Sequence, residues 1–122
     1  MTTHWTYILK CKDNTLYTGY TTDFIRRLYE HKRGIGSKYT RKHGALMLVY
    51  LNNHETRSAA MKEEAAIKKL WRVQKLSLID AHQPITLSHL NAALSIRNDK
   101  YAKALREERF KAAVVQSIEG DD

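Results

Sequence analysis

A chain of 122 residues with 43% hydrophobic side chains and a formal charge of +8 can build one modest core but not two independent ones, and its apolar and aromatic content excludes a disordered chain. The single cysteine, Cys11, cannot close an internal disulfide, so it reads as a small core residue in a protein of the reducing cytoplasm. No basic segment followed by an apolar run opens the chain, and no stretch approaches the ~18 apolar residues of a membrane span; neither secretion nor membrane insertion is expected.

In chain order, Trp5-Thr6-Tyr7-Ile8-Leu9-Lys10 is a short run of β-formers halted by Lys12-Asp13-Asn14, a turn signal. Leu16-Tyr17-Thr18-Gly19-Tyr20 reads as a second strand, close enough to pair with the first as an antiparallel hairpin. Thr21-Thr22-Asp23 supplies capping residues for a helix, along which Phe24, Leu28 and His31 recur on one face. Gly34 is expected to end it. From Gly34 to Gly44 the chain carries three glycines and no clear period, which predicts an irregular exposed loop.

Ala45-Leu46-Met47-Leu48-Val49-Tyr50-Leu51 is a continuous apolar run and a third strand. Asn52 to Thr56 breaks it, and residues 58–71, free of glycine and proline, have helical composition. Val73, Leu76 and Ile79 continue at helical spacing until Pro84, the only proline, which predicts a stop. Ala81-His82-Gln83-Pro84 is the one candidate linker. Beyond it, residues 86–96 and 99–118 read as two helical stretches, the second a weak core-former, before a fraying Gly120-Asp121-Asp122.

Charge is unevenly spread. Residues 1–80 carry 15 Lys and Arg against 7 Asp and Glu, whereas residues 81–122 carry six of each. Arg26, Arg27, Lys32, Arg33, Lys38, Arg41 and Lys42 are opposed only by Glu30 within their block, a pattern that attracts phosphate. Arg26, Lys32, Arg33, Lys38, Arg41 and Lys42, with Lys68 on the later helix, are therefore candidate contacts to nucleic acid, and Tyr39 is placed to stack on a base.

Phosphodiester cleavage needs a more basic water, a cation at the phosphate and stabilisation of the departing oxygen. Arg27 suits the cation's part, since a guanidinium stays charged and matches phosphate oxygens in pairs. His31 follows one turn later on the same surface and can orient a phenol or receive a proton. Tyr7 and Tyr17 are neighbours across the hairpin, but a phenol with a pKa of about 10 needs positive charge nearby to act as a base. Arg27, His31 and a bound metal are the expected sources. For the carboxylate, Glu63 and Glu64 are adjacent and periodicity does not separate them. A single carboxylate completed by water and phosphate matches Mg²⁺ rather than a closed zinc site.

These residues resemble the GIY-YIG nuclease domain over about residues 4–80, in the manner of its small standalone bacterial members. Tyr7 matches the tyrosine of the first signature tripeptide and Tyr17-Thr18-Gly19 the second. Trp5-Thr6 replaces the name-giving Gly-Ile, and Thr18 replaces an isoleucine. Asp23 to His31 resembles the family's arginine helix, whose second arginine, here Arg27, is the catalytic one. Glu64-Ala65-Ala66-Ile67-Lys68 resembles its Glu-x-x-Ile-Lys helix, which selects Glu64 as metal ligand.

The resemblance implies an α+β fold, a three-stranded antiparallel sheet flanked by helices, followed here by a helical C-terminal extension. The expected division is a nuclease domain over residues 1–80 and the extension over 81–122. It also implies one Mg²⁺ or Mn²⁺ ion on Glu64 and hydrolysis of DNA, with RNA an open alternative, by Tyr7, Tyr17, Arg27, His31 and Glu64. Tyr7 is favoured for activating the water. The competing reading is a module that binds nucleic acid in the same basic groove, or recruits a partner through residues 99–118, without cutting. Oligomeric state is not legible in the sequence.

Overall fold

The computed structural model describes residues 2–107. Strand β1 (His4–Cys11) lies in the middle of a three-stranded sheet, antiparallel to β2 (Leu16–Thr21) on one side and to β3 (Ala45–His54) on the other. Thr6 to Leu9 are all buried. The Thr6 hydroxyl donates to the Ala60 carbonyl and Tyr7 hydrogen-bonds His31, so successive side chains find protein on both faces and the usual polar alternation is absent. The β1–β2 turn is closed by Asn14 at φ 69°, a conformation asparagine tolerates, and by Asp13, whose carboxylate accepts from the Thr15 amide and hydroxyl.

Helix α1 (Phe24–Lys32) starts at Asp23, whose carboxylate accepts the Arg26 amide, and ends before Gly34 at φ 77°, as read from the sequence. The glycine-rich segment that follows is not irregular throughout. Ser37 caps a short helix α2 (Lys38–His43) by accepting the Thr40 amide. Six residues are fewer than two turns, too few to show a period. Only Thr40 of this helix is buried.

Helix α3 (Arg57–Lys68), capped by Thr56, lies against β1, β2 and β3. The expectation of a stop at Pro84 and a linker over 81–84 is overturned, because helix α4 (Arg72–Ile96) runs straight through the proline. Ile79, Thr86, Leu90 and Leu94 are its buried residues and carry one stripe past the break. An interior proline costs about 3 kcal/mol, which burial of Leu90 and Leu94 at about 1.5–3 kcal/mol each offsets. The helix also covers the outer edge of β3, where the Thr86 hydroxyl accepts the Leu51 amide at 2.9 Å. That removes one unpaired donor from an edge strand.

Helix α5 (Lys100–Glu107) packs on α1 and α4. Ala102 and Leu105 are buried, so its described part joins the core rather than contributing little to it. The remainder of the helix expected over 99–118, and the frayed end after it, lie outside the described residues.

Thr86→Val keeps the shape of the side chain but leaves the Leu51 amide buried without an acceptor. We expect a loss of about 1–3 kcal/mol, read as a lower denaturant midpoint at unchanged slope. A midpoint equal to wild type would contradict this account of the β3 edge.

Candidate active site

Tyr7 stands at the centre. It faces Gly19 across the β1–β2 ladder, and its ring lies so close that a Cβ at position 19 would sit 2.5 Å from both Cζ and the phenol oxygen. Any side chain there would displace the ring. Beneath that cover Tyr7 is 1% exposed, and its hydroxyl lies 2.7 Å from His31 Nε2.

His31 is equally buried and is held at its other nitrogen. Nδ1 lies 2.7 Å from Thr40 Oγ1, and a Cβ on Gly36 would approach Nδ1 to 2.3 Å. The Thr40 hydroxyl has the Ser37 hydroxyl at 2.9 Å and the Ser37 carbonyl at 3.4 Å as acceptors for its own proton, which leaves its oxygen able to accept from Nδ1–H. Nε2 then presents a lone pair, and the Tyr7 hydroxyl donates to it. Helix α2 thus orients the ring through Thr40, a contact that the sequence did not reveal.

Burial, aided by the charge of Arg27 and opposed by Glu30, pushes His31 down to about 4. The ring is neutral near pH 7. The expectation that His31 adds positive charge beside the phenols is thus corrected: it contributes a lone pair, and Arg27 contributes the charge. Tyr7 is pushed well above the usual phenol range by burial first and Tyr17 next; Arg27 pulls the other way and Glu64 adds to the rise. Its resting form is the neutral phenol.

Arg27 is partly exposed and shares Glu30 with Arg26, through contacts of 3.1 Å and 3.4 Å. An open groove of about 460 Å³ adjoins it, lined by Tyr20, Thr21, Thr22, Asp23, Arg26, Arg27 and Glu30. Tyr17 meets the His31 ring edge-on at 5.3 Å between centroids and lies 6.3 Å from Tyr7. On its other contacts, Tyr17 is 5.6 Å from Tyr39, which stacks on His43 at 4.2 Å. His43 in turn bonds Asp13. The Thr15 hydroxyl and His43 hold that carboxyl down at about 2.

The two glutamates left unresolved by periodicity part company in three dimensions. Glu63 accepts from Tyr50 Oη at 2.8 Å, from Asn52 Nδ2 at 3.0 and 3.2 Å, and contacts His54 Nε2 at 2.8 Å. Tyr50, Asn52 and His54 alternate along β3 and so share one face. Burial raises the Glu63 carboxyl, but His54, Tyr50 and Asn52 more than offset this and leave it below its usual range. Among the described residues Glu64 has only the Lys68 ammonium at 3.7 Å, and its charge is felt at Tyr7. Among the described residues no group of three or more His, Cys, Asp or Glu is placed to hold an ion. Glu64 is a lone, mostly buried carboxylate, a donor set that fits an ion completed by water and phosphate oxygens.

Of the residues read as nucleic-acid contacts, Arg26, Arg33, Lys38, Arg41, Lys42 and Lys68 are exposed and Lys32 is half-buried. Arg33 lies over the Tyr29 ring at 4.9 Å and Arg26 over Tyr101 at 5.8 Å, so both are partly committed within the protein. Lys68 pairs with Glu64. Tyr39 is 37% exposed but already has Tyr17 and His43 against its ring.

Residues 3–77 match the model of the GIY-YIG catalytic domain, and the chain belongs to the GIY-YIG family. That membership implies nuclease chemistry on a nucleic acid. The chain is similar to UPF0213 proteins of Staphylococcus haemolyticus, 46% identical over 80 residues that make up 66% of this chain and 98% of the relative, and of Oceanobacillus iheyensis, 47% identical over 77 residues, 63% and 90% of the two chains. Among solved structures it is similar to a UPF0213 protein of Bacillus halodurans, 43% identical over 65% of this chain and 84% of that one, with a TM-score of 0.44. No helix among the described residues is long and apolar enough to cross a membrane.

The His31 ring should titrate far below a free histidine, whose pKa is about 6.5. Followed by NMR, its midpoint is expected near pH 4, rising in Arg27→Met, which removes a charge that disfavours the imidazolium. Because the folded value is depressed, the unfolded chain binds the proton first. This site therefore costs stability as pH falls from about 6.5 to 4. A midpoint near 6.5 in the folded protein would contradict the buried, neutral ring.

Proposed function

We propose that the protein is a divalent-metal-dependent endonuclease that hydrolyses DNA phosphodiester bonds in branched, nicked or otherwise irregular duplexes. The observation that supports this reading is the buried Tyr7 phenol of β1, hydrogen-bonded to His31, at which the charges of Arg27 from α1 and Glu64 from α3 are both felt. Arg27 grips a non-bridging oxygen of the scissile phosphate, exchanging Glu30 for it. Bound phosphate offsets the guanidinium charge that holds His31 down, so the imidazole becomes a better acceptor as the substrate arrives.

The attacking water gives a proton to the Tyr7 oxygen while the Tyr7 proton passes to His31 Nε2. Thr40 keeps Nδ1–H in place throughout. The water oxygen forms the new bond to phosphorus as the bond to the leaving oxygen breaks. Tyr17 walls the His31 ring and restricts its swing. Glu64 would hold one Mg²⁺ or Mn²⁺, and such an ion, when bound, neutralises charge on the phosphate and the departing oxygen. Lys38, Arg41 and Lys42 on α2 track the strand beyond the cut.

Nicked, flap, duplex and single-stranded DNAs, with RNA as a further substrate, incubated with Mg²⁺, Mn²⁺ or EDTA provide the test. We expect metal-dependent products, and losses of about 10²–10⁴ in rate for Tyr7→Phe, Arg27→Ala and Glu64→Ala. Glu63→Gln should still cut, since Glu63 is engaged by β3. Salt-sensitive binding without product in any metal would instead support the non-cleaving module. Equal activity in wild type and Glu64→Ala would remove the metal ligand from the scheme.

For binding, each of Lys38→Ala, Arg41→Ala and Lys42→Ala should reduce the slope of log affinity against log salt by about one. Unchanged slopes would place the strand elsewhere.

A further inference from the structure

We propose that Arg97 is a positioning residue for the reaction: it ties the C-terminal helices to the capping carboxylate of α1 and thereby fixes where Arg27 sits. The proposal rests on the nuclease reading of Arg27. Its first support is the double engagement of one guanidinium. Arg97 Nη1 and Nη2 grip Asp23 Oδ1 and Oδ2, the second at 3.3 Å, while Nε, at 3.2 Å, and Nη2 bond Asp99 Oδ2.

Both carboxylates begin helices. Asp23 accepts the Arg26 amide at the start of α1, and Asp99 accepts the Ala102 amide at 2.9 Å at the start of α5. A fork of this kind sets direction as well as distance. Arg97 is itself held from behind, because Arg106 Nη1 donates to the Leu94 and Arg97 carbonyls at 2.7 and 2.8 Å. Those carbonyls belong to the end of α4, which lacks intrahelical partners for its last groups. Further along α1, Tyr101 meets Tyr29 edge-on at 5.1 Å.

The second support is where these residues fall in the chain. The family match ends at residue 77, and in the Staphylococcus haemolyticus relative nearly the whole protein aligns with two-thirds of this one. Arg97, Asp99 and Arg106 are additions to the shared domain, yet they act on the helix that bears its arginine. Arg97 and Asp23 are partly exposed, so screening limits the strength of the pair. Its effect lies in orientation, and small misplacement of a phosphate-gripping group is costly in rate.

The test compares wild type, Arg97→Ala, Arg97→Lys, Asp23→Asn and the Arg97→Ala/Asp23→Asn double variant in cleavage of a nicked duplex and in amide hydrogen exchange. Asparagine caps a helix as well as aspartate but offers the guanidinium one neutral acceptor in place of a charged, two-oxygen fork. Arg97→Ala and Asp23→Asn should each lower kcat about tenfold with little change in KM. Arg97→Lys should recover part of the loss, and the double variant should be no slower than either single.

In both single variants the amides of α1 should exchange faster while those of α3 keep their wild-type rates. Unchanged exchange in α1, equal acceleration in α1 and α3, or additive losses in kcat would each overturn the proposal. If wild type cuts none of the DNAs, the nuclease reading fails on its own, and the exchange rates alone decide whether Arg97 braces α1.

Discussion

The rest of the site follows from burying the Tyr7 hydroxyl against the His31 ring, its acceptor among the described residues. A phenol enclosed without a partner loses about 1–3 kcal/mol of hydration that nothing returns, so His31 must stand at hydrogen-bonding distance with Nε2 unprotonated. That in turn requires Nδ1 to carry the proton and Thr40 to receive it. Two backbone positions admit no side chain, Gly19 under the Tyr7 ring and Gly36 against His31. The glycines and the threonine read as unremarkable loop and strand residues until the phenol is placed, and then each has a task.

Electrostatics divide the labour among groups that look alike in a sequence. His31 lies in a basic helix but is kept neutral by burial, so among the described residues the positive charge felt at Tyr7 comes from Arg27. Glu30, which binds both Arg26 and Arg27, holds the guanidinium in register and, in the proposed reaction, would yield to a phosphate. Glu63 and Glu64 differ by one position and diverge completely in use. The first is absorbed by three residues of β3, and the second has, among the described residues, a single lysine and a charge felt at the phenol.

Much of this could be read before any coordinates. The order of strand, strand, arginine helix, third strand and glutamate helix appears in turn signals, β-forming runs and caps, and Asp23 and Gly34 perform as their types predict. What escaped detection was set by partners distant in the chain. Helix α2 is too short for a period, and its link to His31 through Thr40 has no local signature. Pro84 signals a break on propensity alone, but Leu90 and Leu94 gain more by burial than the proline costs. The engagement of Glu63 by Tyr50, Asn52 and His54 on one face of β3 is likewise something helix periodicity does not encode, although the family resemblance had already selected Glu64. In the C-terminal helices the charged composition concealed Ala102 and Leu105, two small contacts that anchor α5.

The central claim is that groups from separate elements act on one phosphate as a single centre. Single-turnover cleavage by Tyr7→Phe, Glu64→Gln and the double variant measures this directly, since residues that work as a unit are strongly non-additive. The account predicts a double variant no slower than the slower single variant. Losses that multiply, as for two independent sites, would contradict it.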